Sequence, residues 1–225
     1  SWKFGTGVTQ TSTTGTIQFS GRGTSTITSN GVTFGSPVTI DCFSGTVQLA
    51  DAITLSSGNT LTLTSGAFDA VSYNVTLGLM SYGGSAFTLK MGSGTWTLSG
   101  TGTVWSIAGT TYLNFYKGTA NIVLSDTSTT ARTFGGAGLS YNKLTIGGTT
   151  GASTTTISGN NQFTELASTK TVAHTIALGT TTQTIGKWSV TGTVGNVVTV
   201  TGTATIAIAG ARVSGVDYLA LGTTV

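Results

Sequence analysis

The chain has 225 residues, of which 7% are charged and 34 are glycine, and its formal net charge is +3. This length is sufficient for one or two domains with a real core. The nine lysines and arginines are scattered singly, whereas nucleic-acid binding needs a concentrated basic patch. No apolar run is long enough to cross a membrane. We therefore expect neither nucleic-acid binding nor membrane insertion.

The composition favours β structure over helix. Threonine, valine and isoleucine, which favour pleated strands, are frequent, and the abundant glycine and serine supply turns. Strong helix formers are scarce, since Glu165 is the only glutamate. The apolar residues recur at regular positions, which disordered chains do not show. The sequence therefore predicts an all-β protein.

Short segments with apolar residues at alternate positions recur along the chain and predict β-strands. Their common unit is x-T-Φ-x-G, where Φ is apolar, and it returns about every 8 to 13 residues, as strands joined by turns do. The predicted strands lie within 38–43, 53–66, 73–78, 87–100, 104–109, 113–118, 121–126, 141–148, 154–159, 174–179, 183–192, 197–202, 205–210 and 217–222.

Two architectures fit evenly spaced short strands: a right-handed parallel β-helix, also called a β-solenoid, and an antiparallel β-sandwich. The strands end in single glycines or Gly-Gly, not in the Asn-Gly or Asp-Gly pairs that mark tight hairpins. Similar units follow one another throughout, as in coils that bury a face only by stacking. We therefore expect one β-solenoid domain over 1–225, with on the order of ten coils. The best loop candidate is 125–140, and a second weak break is 147–154.

Several longer segments carry a resemblance to a known class of proteins. They are "SGTVQLADAITLSSGNTLTLTSGAFDA" with "MGSGTWTLSGTGTVW", and "TSTTARTFGGAGLSYNKLTIGGTTG" with "KTVAHTIALGTTTQTIGKWSVTGTVGNVVTV". This set resembles the repetitive structural proteins of tailed bacteriophages, of the tail-fibre or virion-surface type common in uncultured aquatic phages. The resemblance covers the chain from about residue 44 to its end, although each repeat unit alone is of low complexity.

The resemblance implies a non-enzymatic structural protein in a tail fibre, spike or capsid appendage. It further implies a location on the virion surface, outside the cell, and a role in host attachment. The partners it implies are further copies of the chain, in a homo-oligomer such as a trimer, and other virion proteins. It carries over no catalytic residue, because the shared motifs consist of strand and turn positions.

One alternative is an enzyme that degrades polysaccharide, like a tailspike. Glycoside hydrolysis uses two carboxylates at short separation, and Asp51 and Asp69 are spaced to stack if one coil takes about 18 residues. We expect instead that both are solvated turn residues, and we assign no catalytic residue.

The remaining reactive side chains do not form a recognisable site. His174 is the only histidine and shares a predicted strand face with Ile176 and Leu178, so we expect it to face the core. Cys42 is the only cysteine and is expected to be a small buried thiol. One histidine and one cysteine do not make a zinc site, and the calcium-binding nonapeptide of β-rolls is missing. We expect no metal and no cofactor.

The segment "TYLNFYKG" is the best candidate for contact with a host-surface glycan or receptor. If Leu113 and Phe115 point inward, then Tyr112, Asn114 and Tyr116 project outward in a row, because side chains alternate along a strand. Aromatic faces together with amide and hydroxyl groups are typical of sugar recognition. The other interpretation is that these tyrosines cover a sheet or an oligomer interface.

Two further aromatic sets were assigned by the same alternation. Tyr141 and Tyr218 are possible additions to the outward row. Each tryptophan is followed at the second position by an apolar residue, which places it on the core face. These core-facing tryptophans are Trp2, Trp96, Trp105 and Trp188.

Ice or surface binding by a bacterial solenoid is a second alternative, because such proteins display outward Thr-x-Thr pairs in flat ranks. The candidate sets are Thr60/Thr62/Thr64, Thr95/Thr97 and Thr199/Thr201/Thr203. They do not recur at one spacing in the sequence, so we expect no flat rank.

Overall fold

The computed structural model describes residues 1–11, 14–203, 205–213 and 216–222, with only the backbone for 208–213. The described residues contain strands, turns and bends but no helix. Every ladder between named strands is parallel, and the strands stack as a β-solenoid of about ten coils. The predicted β-solenoid is confirmed, and the antiparallel sandwich is wrong.

The described residues form twenty-three strands. They are β1 (Trp2–Lys3), β2 (Ile17–Phe19), β3 (Thr24–Thr28), β4 (Thr33–Phe34), β5 (Val38–Leu49), β6 (Ile53–Leu55), β7 (Thr60–Asp69), β8 (Val75–Leu77), β9 (Leu79–Tyr82), β10 (Phe87–Lys90), β11 (Thr95–Leu98), β12 (Gly102–Ile107), β13 (Leu113–Tyr116), β14 (Asn121–Leu124), β15 (Arg132–Gly135), β16 (Ser140–Ile146), β17 (Thr154–Ser158), β18 (Gln162–Ser168), β19 (His174–Ala177), β20 (Gln183–Ser189), β21 (Val198–Thr201), β22 (Ile206–Val213) and β23 (Leu219–Leu221).

The strands form two sheets that run the length of the solenoid. Sheet A has fourteen strands, and its main path is β1-β3-β5-β7-β9-β12-β15-β17-β19-β21-β23. Sheet B has nine, in the order β4-β6-β8-β11-β14-β16-β18-β20-β22. From β3 onward, strands of the main path of sheet A and strands of sheet B alternate along the chain, so successive coils contribute to both sheets and a residue faces its equivalent in the next coil.

The coil spacing is visible in a ladder of charged side chains on the outer face of sheet B. Glu165 and Lys187 face each other in β18 and β20 and are 22 residues apart. Glu165 lies 3.2 Å from the ammonium of Lys143 below it and 3.3 Å from that of Lys187 above it. Opposite charges therefore face each other between β16 and β18 and again between β18 and β20, and such cross-strand pairs stabilise a sheet.

The core is a continuous column of inward side chains. In sheet A, Met80, Trp105, Phe134 and Ile157 follow one another in register, and each is fully buried. No coil could bury its inner face alone, so stacking on the neighbouring coils supplies the hydrophobic stabilisation.

An aromatic cluster fills the middle of this column. Trp96 and Trp105 meet edge to face with ring centroids 5.8 Å apart. Trp105 then stacks on Phe134 at 5.8 Å and contacts Tyr141 edge to face at 6.1 Å. Such pairs stabilise beyond the area that they bury. The cluster therefore connects β11 and β12 with β15 and β16 of the following coil.

Sheet A carries a side branch, which we define as the second half of β7 together with β10 and β13. Strand β10 pairs with Gly66–Asp69 of β7 on one side and with β13 on the other. Within the described residues, β13 has no other strand partner. The branch forms because β7 is long enough to pair with two strands. Its first half, Thr60–Leu63, pairs with β9 on the main path, and its second half, Gly66–Asp69, pairs with β10. Both halves of β7 pair with β5 on the other side.

Three of the four tryptophans lie in the core, as predicted. Trp96 and Trp105 are fully buried and Trp188 is nearly so, but Trp2 is 41% exposed. The prediction for Trp2 is wrong because, among the described strands, β1 is the terminal one of sheet A and pairs with β3 alone. A terminal coil covers an inward ring on one side only.

Other sequence predictions also fail locally. The predicted loop 125–140 contains strand β15, and β18 was not predicted at all. In β15 the inward position next to Phe134 is taken by Arg132, which hides the apolar alternation. In β18 the buried residues are Phe163, Leu166 and Ala167, so the period of two is lost. Tyr141, assigned to the outside, is 1% exposed.

Candidate functional site

Tyr112, Asn114 and Tyr116 form an outward row at the free edge of the branch. Tyr112 is 64% exposed and Tyr116 57% exposed. Leu113 and Phe115 alternate with them and pack against the core. The predicted orientation is confirmed, and the role of the row in binding a glycan stays a prediction.

The row continues onto the neighbouring strand. Asn114 lies beside Thr88 and Tyr116 beside Lys90 in the ladder between β13 and β10. The ammonium of Lys90 lies 3.5 Å from the carboxylate of Asp69 one coil below. This exposed pair balances its own charge, so the row presents rings, an amide and hydroxyl groups with little net charge.

A groove of about 640 Å³ runs from this row down across the branch towards β5. Phe43 lies at one end of the groove and Tyr112 at the other. Strand spacing of about 4.8 Å puts these two coils about 14 Å apart. No lining residue is charged, and apart from Phe87 and Asn114 the residues between are small or hydroxylated. They are Ser44, Gly45, Thr46, Ser65, Gly66, Ala67, Ser85, Ala86 and Thr88.

Phe43 is placed in the groove by an irregularity in β5. The register between β5 and β7 shifts between Asp41 and Thr46, and Ser44 in this bulge has a positive φ of 58°. Bulges re-aim side chains, and here Phe43 is 72% exposed while its neighbour Cys42 is buried. Phe43 is not among the residues predicted from the sequence to form a site. The signal that could have found it is the interruption of alternation at "CFSG".

Gly66 makes this irregularity possible. Its φ is 92°, and a Cβ at this position would lie 2.0 Å from the carbonyl oxygen of Cys42 in the coil below. Only glycine allows so close an approach in the left-handed region. The backbone at Gly66 therefore fixes the floor of the groove beneath the bulge.

Asp51 and Asp69 do not stack on each other. The ladder pairs Asp69 with Gln48, three positions before Asp51, because the coil is longer than the 18 residues that stacking would need. The Asp51 carboxylate accepts hydrogen bonds of 2.7 Å from the backbone N–H groups of both Ser29 and Asn30. Both carboxylates have structural partners, Asp69 through Lys90.

His174 faces the core, as predicted. Its Nδ1 lies 2.8 Å from the carbonyl oxygen of Val172, and its Nε2 lies 2.9 Å from Oγ of Ser168. A carbonyl can only accept, so Nδ1 carries the proton and Nε2 is free to accept from the serine. Burial lowers the pKa of His174, and the charges of Lys170 and Arg132 lower it further against the opposing hydrogen bond to Val172. These contacts describe a neutral structural histidine.

The candidate Thr-x-Thr sets do not stack on one another, because they lie in β7 and β21 of sheet A, which are not neighbours, and in β11 of sheet B. Aligned outer positions of sheet A in three successive coils are Thr154/Thr156, Thr175/Ala177 and Thr199/Thr201. Alanine interrupts one of the two files, and the other lines a groove of about 360 Å³. This face therefore lacks the flat, uninterrupted double file on which the ice-binding alternative depends.

Among the described residues, no group of three or more His, Cys, Asp or Glu side chains is placed to hold a metal ion. The part of the chain that the structure describes also has no helix able to cross a membrane. Comparison with protein-family models, with curated proteins and with solved structures finds no match to this chain.

Proposed function

We propose that this chain is a non-enzymatic β-solenoid of the surface of a tailed bacteriophage, in a tail fibre, spike or capsid appendage, and that it contributes to host attachment. The motifs that resemble repetitive phage structural proteins support the virion location. The solenoid supports a mechanical role, because each coil is held to its neighbours by backbone ladders on two sheets. The partners in this proposal are further copies of the chain and other virion proteins.

The observation that carries the attachment role is the row of Tyr112, Asn114 and Tyr116 beside the groove that ends at Phe43. Large exposed aromatics in a rimmed depression mark interaction sites. Ring faces cover the C–H surfaces of a sugar, while the amide and hydroxyl groups of the lining exchange hydrogen bonds with its hydroxyls. The uncharged lining favours a neutral glycan over an acidic one.

A glycan array probed with the purified chain tests this role. We expect binding to neutral glycans, and a loss of at least about tenfold in affinity when Tyr112→Ala and Tyr116→Ala are combined, corresponding to about 1.4 kcal/mol. Tyr218→Ala is the matched control, since Tyr218 is also exposed, at 47%, but precedes β23, several coils away from the row. Equal binding by the double variant, or equal loss in the control, would contradict the proposed site.

A further inference from the structure

Three loops stack at the corner where sheet B leads into sheet A in the upper coils. They span 125–131, 147–153 and 169–173. The hydroxyl of Thr171 donates to the carbonyl of Thr149 at 2.7 Å, and a Cβ on Gly151 would lie 2.3 Å from the carbonyl oxygen of Ser128. We call the space enclosed by these loops the interior corner, and its side chains are Asp126, Arg132, Ser153, Thr155, Lys170 and His174.

The interior corner contains two buried cations but a single carboxylate. Arg132 is 1% exposed, and its Nη2 lies 2.6 Å from the Asp126 carboxylate, so these two charges neutralise each other. Lys170 is 5% exposed, and its ammonium donates to the carbonyls of Thr150 at 3.1 Å and Gly151 at 3.0 Å. Across the described residues, no carboxylate forms an ion pair with Lys170.

The charge of Lys170 is therefore buried without a counter-charge. Burial lowers the pKa of Lys170, and the charge of Arg132 lowers it further, against the opposing effect of Asp126. His174 supplies no negative charge, because it is the neutral tautomer bonded to Val172 and Ser168. Buried charges in proteins are normally paired, so an anion in this corner would supply the missing counter-charge of Lys170.

Three hydrogen-bond donors in the same corner have no partner among the described residues. They are Nε of Arg132, Oγ of Ser153 and Oγ1 of Thr155. Arg132 and Thr155 face each other in the ladder between β15 and β17. Ser153 precedes Thr155 by two positions and so lies on the same face, and it adjoins His174 through the hydrogen bond from Thr175 N to its carbonyl. The donors thus occupy neighbouring inward positions.

We propose that the interior corner binds one small monovalent anion of the chloride class, which accepts hydrogen bonds from Arg132 Nε and from the hydroxyls of Ser153 and Thr155. One negative charge balances Lys170, whereas a divalent oxyanion would over-neutralise it. The distance of about 4.8 Å between stacked strands also favours a small ion. Ser153 and His174 also line the groove of about 360 Å³ on the outer side of this corner.

The test measures the thermal unfolding midpoint of the full chain while sodium chloride replaces sodium gluconate at constant ionic strength. We expect a saturable rise in wild type and in Lys187→Met, whose lysine is exposed on sheet B. Lys170→Met removes the uncompensated charge and should abolish the rise. No rise, a rise that does not saturate, or the same saturable rise in Lys170→Met would overturn the proposal.

A second measurement keeps the test decisive if Lys170→Met does not fold. Crystals of the wild-type chain grown in sodium bromide should show an anomalous peak within hydrogen-bond distance of Arg132 Nε and Thr155 Oγ1. Bromide peaks at the surface alone, the signature of an adventitious ion only, would overturn the proposal, as would the absence of any peak.

Discussion

Trp105 donates its indole N–H to the hydroxyl of Tyr141 at 3.2 Å, across 36 residues of sequence. Tyr141 in turn donates to the carbonyl of Gly136 at 2.9 Å. Both rings are buried, and burial raises the pKa of Tyr141 while the hydrogen bond from Trp105 opposes it. This relay of two hydrogen bonds joins the coil of β12 to the coil of β16. The coil of β16 is the first one above the side branch of sheet A.

Tyr141→Phe should destabilise the fold because it leaves the indole N–H of Trp105 buried without its acceptor. It also removes one of the two hydrogen bonds to the carbonyl of Gly136, which keeps the one from Leu139 N. We expect a cost of about 1–3 kcal/mol in the free energy of unfolding, measured by denaturant titration. Tyr112→Phe, which removes an exposed hydroxyl, should change it by less than about 0.5 kcal/mol. Equal effects of the two variants would mean that the relay does not stabilise the fold.

Gly66→Ala should destabilise the branch. A Cβ at this position meets the carbonyl oxygen of Cys42 at 2.0 Å, and φ lies in the left-handed region. A cost of about 2 kcal/mol or more is expected from strain of this kind. Gly83→Ala is the matched control, since a Cβ there meets nothing within 4 Å. Thermal unfolding of both variants checks the prediction, which fails if Gly66→Ala unfolds at the wild-type temperature.

The stability of the chain should fall as the pH drops below about 6.5, the ordinary histidine pKa. Because the pKa of His174 is lowered in the folded state, the unfolded chain takes up the proton first. Between about pH 6.5 and the lower pKa of the folded state, the free energy of unfolding falls by at most about 1.4 kcal/mol per pH unit. Above about pH 6.5 this effect is absent, because His174 is neutral in both states. Arg132, Lys170 and Asp126 face the same corner.

Urea unfolding at pH 7.5 and pH 5.5 checks this direction. His174→Gln keeps a neutral polar side chain and should lose the part of the pH dependence that belongs to the histidine. The same fall in stability in wild type and in His174→Gln would show that other groups cause it.

Much of the fold could be predicted from the sequence because the x-T-Φ-x-G unit reports inward and outward positions directly. That alternation placed Trp96 and Trp105 in the core and Tyr112 and Tyr116 outside. It failed for Tyr141, because β16 contains buried residues at both Tyr141 and Leu144 and so departs from a period of two. Alternation within one strand cannot detect such a shift.

The extent of the candidate site could not be predicted, because it depends on register between coils. Phe43 and Tyr112 are far apart in sequence and share a groove only because β5, β7, β10 and β13 stack in order. The interior corner is hidden for the same reason. Arg132 and Lys170 look like isolated surface charges in the sequence, and only the stacking of three loops makes them buried neighbours.

Quantitative mass spectrometry of purified phage particles tests the central claim most directly. The account predicts that peptides of this chain copurify with the particles through a density gradient, in fixed ratio to the tail or capsid proteins. Peptides confined to the lysate, with none in the purified particles, would contradict a virion-surface role.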